Sequence, residues 1–92
     1  MADCQTSVVI GGVDCHQQTH HVVALDLHGR RLGDQAFPAT STGYQQLLSW
    51  LQTFGPIQAI GVESTASYGA GLTRYLLSAG QQVIEVNQST PS

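Results

Sequence analysis

Ninety-two residues, 41% of them hydrophobic, suffice for one small domain that buries about two thirds of its unfolded surface, and are too few for a complete multi-domain catalyst. A net charge of −3, with three Arg and no Lys, excludes a domain that grips nucleic acid by electrostatics alone, because backbone affinity needs cations that displace counterions. No stretch approaches the roughly 20 apolar residues of a membrane span. The start, Met1-Ala2-Asp3-Cys4-Gln5, has no basic segment followed by an apolar core, so a cytoplasmic location with Cys4 and Cys15 reduced is expected.

After a polar lead, Val8 to Val13 is a nearly continuous apolar run, the pattern of a central strand covered on both faces. The polar His16 to Thr19 follows. His21 to Leu27 is rich in β-branched and aliphatic residues and closes at His28-Gly29, which predicts a hairpin partner. Arg31 to Phe37 alternates imperfectly, as an edge strand does, and Pro38 ends it. Thr40 or Ser41 caps a helix in which Tyr44, Leu47, Leu48, Leu51 and Phe54 recur at three- and four-residue spacings until Gly55-Pro56. Ile57 to Val62 reads as a fourth strand. Tyr68, Leu72, Tyr75, Leu76 and Ala79 trace one face of a second helix closing at Gly80, Gln82 to Val86 forms a fifth strand, and Asn87 to Ser92 is a loose end. The ordered core of this one-domain chain is expected over about residues 7–87. The order predicts an α/β fold with a mixed five-stranded sheet and two helices, of ribonuclease-H-like or of actin- and sugar-kinase-like type.

In that order the first and fourth strands are neighbours, and Asp14 and Glu63 stand just past their apolar runs. Two carboxylates at adjacent strand ends favour a shared divalent cation. Asp14 alone reads equally as a strand terminus in solvent, and Glu63 alone reads better as one; their equivalent positions in the sheet favour a site. A nucleotide-cradling turn requires glycines after the first strand, where backbone amides approach phosphates. Cys15-His16-Gln17-Gln18-Thr19 has none, which leaves a metal-held phosphodiester as the better substrate.

His16, His20 and His21 flank the first acid, yet imidazole suits zinc better than magnesium and a hairpin turn holds side chains less rigidly than a helix, so a zinc site is disfavoured. His20 and His21 read as ordinary strand-edge residues and Cys15 as a small buried hydrophobe. Ser64, Thr65, Ser67, Tyr68 and Gly69 open the second helix beside Glu63, where amides and hydroxyls either hold a phosphate or simply cap the helix, with Tyr68 in the core. Tyr44 and Trp50 read as packing residues.

Four separated motifs are more specific: Gly12-Val13-Asp14-Cys15-His16, Phe37-Pro38-Ala39-Thr40, Gly61-Val62-Glu63-Ser64-Thr65-Ala66-Ser67-Tyr68-Gly69 and Val83-Ile84-Glu85-Val86-Asn87. In order and spacing they resemble the N-terminal part of DEDD-type transposases of insertion sequence family 110, over residue 8 to Asn87. The resemblance implies a ribonuclease-H-like domain, similar to a Holliday-junction resolvase, in which four acids bind Mg²⁺ or Mn²⁺ and a separate domain carries a serine nucleophile. Asp14 matches the first acid and Glu63 the second; His16, Ser64, Thr65 and Ser67 are the candidate contacts to a nucleic-acid backbone. The other two acids, an Asp-x-x-Asp pair, belong beyond the position of Asn87, so the chain reads as a truncated N-terminal piece, with weak ion binding and no independent strand cleavage expected. DNA and a structured guide RNA are the partners implied for the complete protein. Two other readings stand beside this one: a non-catalytic protein, either an inactive remnant or a module that self-associates or joins an intact transposase, and a kinase-like nucleotide-binding half-domain.

Overall fold

The computed structural model describes residues 8–64 and 68–87. Seven elements follow in chain order: β1 Val9–Cys15, β2 Thr19–Leu25, β3 Arg31–Pro38, α1 Ser41–Gln52, β4 Ile57–Ser64, α2 Ala70–Ser78 and β5 Val83–Asn87. The strands form one mixed sheet of order β3-β2-β1-β4-β5. β1 pairs antiparallel with β2 and parallel with β4; β2 pairs antiparallel with β3, and β4 parallel with β5. This is the ribonuclease-H-like arrangement expected from the sequence.

Local chemistry explains the element ends. Asp26 Oδ1 accepts hydrogen bonds from the amides of His28 and Arg30, and Gly29 takes a positive φ of 82°, so the chain reverses tightly between β2 and β3. The same amide of Arg30, foremost, holds the Asp26 carboxyl below its ordinary value. Thr40 caps α1, its Oγ1 accepting from Gly43 N at 3.0 Å. Helix α1 ends at Gln52, so Phe54 lies beyond it and packs on Trp50 with ring centroids 4.9 Å apart.

Strand alternation sorts the residues. Val9, Val13 and Cys15 of β1, Val22 and Ala24 of β2, and Ile60 and Val62 of β4 are buried with Leu47, Leu48 and Leu51 of α1 and Leu72 and Leu76 of α2. The core therefore lies between one sheet face and the two helices. The other face carries Ile10, Gly12 and Asp14 in β1, and its exposure rises along the strand to Asp14. β1 is thus covered on one side, not on both as its apolar run suggested. Gly11 and Gly12, small enough to score as apolar on either face, blurred the alternation.

α2 departs from expectation at its start. It begins at Ala70, with Gly69 as an N-cap that has no side-chain hydrogen bond. Tyr68 precedes the helix and is 42% exposed, so it is not the core residue expected; Tyr75 fills that role, its ring 6.0 Å from that of Tyr44. Ala79, read as part of the packed face, is an exposed C-cap, and Gly80 closes the helix with φ 83°.

Candidate functional site

Asp14 and Glu63 are direct register partners across the parallel β1–β4 pair. Each is the second-last residue of its strand rather than a residue beyond it. Paired positions on neighbouring strands stand about 4.8 Å apart and point to the same side. Both acids therefore belong to the sheet face that the helices leave open. Asp14 is 57% exposed and Glu63 is half-buried.

The same strand period places Gly12 and Gly61 opposite one another two residues earlier. A methyl group added at Gly12 would meet nothing within 4 Å. The two glycines thus leave a shallow concavity, whose rim is formed by Asp14, Glu63, His21 and Arg31. Among the described residues, no group of three or more His, Cys, Asp or Glu is gathered closely enough to hold a metal by itself.

The three histidines separate. His16 follows β1 in the tight turn, where its amide donates to Thr19 O, and its Nε2 lies 3.3 Å from Asp14 Oδ2. His21 is the antiparallel register partner of Asp14 and shares the open face. Its Nε2 donates to Asp34 Oδ2 at 2.7 Å, and Arg31 Nη1 stands 3.9 Å from Asp34 Oδ1. His20 points the other way, into the core, and is fully buried. It is therefore not the strand-edge residue expected. Alternation along β2 makes it impossible for His20 and His21 to face one ion together.

His20 stacks on Tyr44, with centroids 5.8 Å apart and planes 6° from parallel, and neither ring nitrogen has a hydrogen-bond partner. Burial pushes its pKa below the ordinary 6.5. The Thr19 backbone pulls upward without reaching hydrogen-bond geometry, and the His16 ring adds a smaller downward effect. Below about pH 6.5 the unfolded chain gains a proton that the folded chain resists, so stability is lost as pH falls through that value toward the folded pKa. A His20→Phe variant is expected to flatten this dependence and to be more stable by about 1–3 kcal/mol, since two orphaned nitrogens disappear. Urea unfolding at several pH values checks it; an unchanged slope would contradict the assignment.

Cys15 is buried on the helix side, its thiol raised to about 11 by burial and secondarily by the Asp14 charge, which suits packing and not nucleophilic attack. Ser64 pairs with Cys15 on that same side, and its Oγ accepts from Gly69 N at 2.9 Å. Alternation thus separates Ser64 from Asp14 and Glu63, and its hydroxyl is engaged in shaping the entry to α2. Thr65 and Ser67 lie outside the described residues. The His21–Asp34–Arg31 cluster was not anticipated. Its signal is a diagonal one, since Asp34 pairs with Val23 and His21 with Ala36, and only a known β2–β3 register brings them together.

Residues 11–92 match the transposase family of the DEDD, insertion-sequence-110 type. The chain belongs to that family. No curated protein sequence matches it. Among solved structures, this transposase-family chain resembles Archaeoglobus fulgidus Pelota, with a TM-score of 0.64 and 10% identity over 96% of this chain and 28% of that one. It also resembles a foamy viral protease-reverse transcriptase in complex with double-stranded DNA, with a TM-score of 0.48 and 11% identity over 91% of this chain and 21% of that one. At such identities the Pelota likeness shows shared fold alone, and the chain spans little more than a quarter of that protein. No helix of the described residues is long and apolar enough to cross a membrane.

Proposed function

We propose that this transposase-family chain supplies the first two acids of a divalent-metal site acting on DNA phosphodiesters during transposition. The register pairing of Asp14 with Glu63 on the open sheet face carries the reading. The residue types fit a hard cation such as Mg²⁺ or Mn²⁺: two carboxylates stand at paired positions on neighbouring strands, and the glycine floor beside them leaves room for phosphate and water as the remaining ligands. Such an ion supplies Lewis acidity toward a phosphodiester oxygen. Asp14 and Glu63 would hold and orient it, and His16, 3.3 Å from Asp14, steadies the first carboxylate.

Two acids hold an ion loosely, because two-metal phosphoryl transfer needs several carboxylates to clamp attacking and leaving oxygens. The chain is therefore expected to bind Mg²⁺ or Mn²⁺ in rapid exchange and to leave DNA uncut. Strand cleavage and exchange, with DNA and a guide RNA as partners, belong to the complete protein.

Titration with Mn²⁺ followed by NMR tests the assignment. The amides of Asp14 and Glu63 should broaden before those of Asp26, Asp34 and Glu85; broadening that starts elsewhere, or none, overturns it. Saturable ATP binding in the same experiment would favour the kinase-like alternative. A second reading, association with another transposase chain, is favoured by one observation: Ile84 and Val86 of β5 stay 52% and 46% exposed. Sedimentation that shows a monomer at every concentration would remove it.

A further inference from the structure

The open face carries cationic and imidazole groups on the far side of the acid pair, and the reading above gives them no role. Arg31, at the start of β3, and His21, in β2, line the same concavity as Asp14 and Glu63. Both are tied to one carboxylate. Asp34 accepts from His21 Nε2 at 2.7 Å through Oδ2 and faces Arg31 Nη1 at 3.9 Å through Oδ1. Asp34 thereby orients the imidazole, and the guanidinium lines the concavity beside it. The rest of the guanidinium's donors stay available, since Arg31 is 65% exposed and the pair to Asp34 is a long one.

The other two arginines lie elsewhere. Arg30 belongs to the β2–β3 turn and Arg74 to the exposed side of α2. In a chain of net charge −3, the placement of one cation beside a carboxylate pair fits an anion that reaches both. A carboxylate pair repels a bare phosphate, and a cation bound there removes the repulsion but grips only one of its oxygens. A guanidinium across a glycine floor offers donors to a second oxygen in a planar fork.

We propose that Arg31, with His21 and Asp34 beside it, forms the phosphate-contacting arm of the site, its guanidinium donating to a nonbridging oxygen of a DNA phosphodiester held at the ion site of Asp14 and Glu63. The proposal rests on the metal-site reading and extends it from ion to substrate. Sequence specificity is not part of the arm's chemistry, because phosphate contacts position a strand without reading its bases.

The test titrates a short single-stranded oligodeoxynucleotide into the full chain in the presence of Mg²⁺, at low and at physiological ionic strength, and follows backbone and His21 ring resonances by NMR. The arm requires that Arg31→Ala weaken binding at least about fivefold and reduce the magnitude of the salt slope by about 0.7, the value for one phosphate contact on a single strand. Arg74→Ala, which changes the net charge equally but sits on the helix layer, should change neither. The His21 ring should shift in the wild type and respond less in Arg31→Ala. Equal losses in the two arginine variants would reduce the effect to overall charge and overturn the arm. A silent His21 ring alongside selective Mn²⁺ broadening at Asp14 and Glu63 would overturn the arm and leave the metal site standing. The reverse pattern, no Mn²⁺ response with an Arg31-dependent His21 shift, ends the metal assignment and with it the arm as part of an ion site, leaving only an Arg31 anion contact.

Discussion

A Gly43→Ala variant is expected to lose at least about 3 kcal/mol of stability, a large share of the roughly 5–15 kcal/mol available to a small domain. Gly43 lies in the first turn of α1, where a Cβ would stand 1.9 Å from the carbonyl oxygen and 2.8 Å from the carbonyl carbon of Pro38. Both are backbone atoms at the end of β3, so no side-chain rotation relieves the clash. The helix must lift from the sheet edge or β3 must withdraw, and either movement disturbs the packing of Leu47 and Phe37. Gly12→Ala is the matched control: its methyl would meet nothing within 4 Å, and it is expected to cost little stability. Urea unfolding of the two variants, compared at equal m-value, checks the difference; equal midpoints would show that α1 does not sit against β3 as described.

The second large effect concerns the acids. Asp14→Asn and Glu63→Gln should each weaken Mn²⁺ binding at least about tenfold, because an exchangeable ion held by two carboxylates loses half of its anionic ligands. The double variant should be little worse than either single one, since the two act as one unit. Stability in the absence of metal should move the opposite way. Like charges placed directly opposite on neighbouring strands repel, and removing one is expected to stabilise the metal-free chain by roughly 0.2–1 kcal/mol. Calorimetric Mn²⁺ titration with unfolding in chelator gives both quantities. A variant that loses binding and stability together would instead mark its acid as structural.

The sheet order was legible because the relevant signals are local. Apolar runs end at Val13 and Val62, the turn residues His28-Gly29 and Gly55-Pro56 separate the elements, and the leucines of α1 recur on one face. From that order alone Asp14 and Glu63 fall on adjacent strands, and their register pairing bears out the adjacency. Which face they occupy was not legible, because Gly11 and Gly12 interrupt the alternation that would have shown it. His20 illustrates a second limit: three histidines within six positions look alike in sequence, and a shift of one residue along β2 separates a ring buried against Tyr44 from one that lines the open concavity. The start of α2 was misplaced for a third reason. Ser64 engages its hydroxyl with Gly69 N from the end of β4, and α2 begins only at Ala70.

The most direct test of the account is a crystal of this chain grown with Mn²⁺, with the ion located by anomalous scattering. A single peak shared by the Asp14 and Glu63 carboxylates above the Gly12–Gly61 floor is the expected result. Carboxylates that diverge across the sheet, with density at some other acid and none between these two, would contradict the claim that the β1–β4 register builds one cation site.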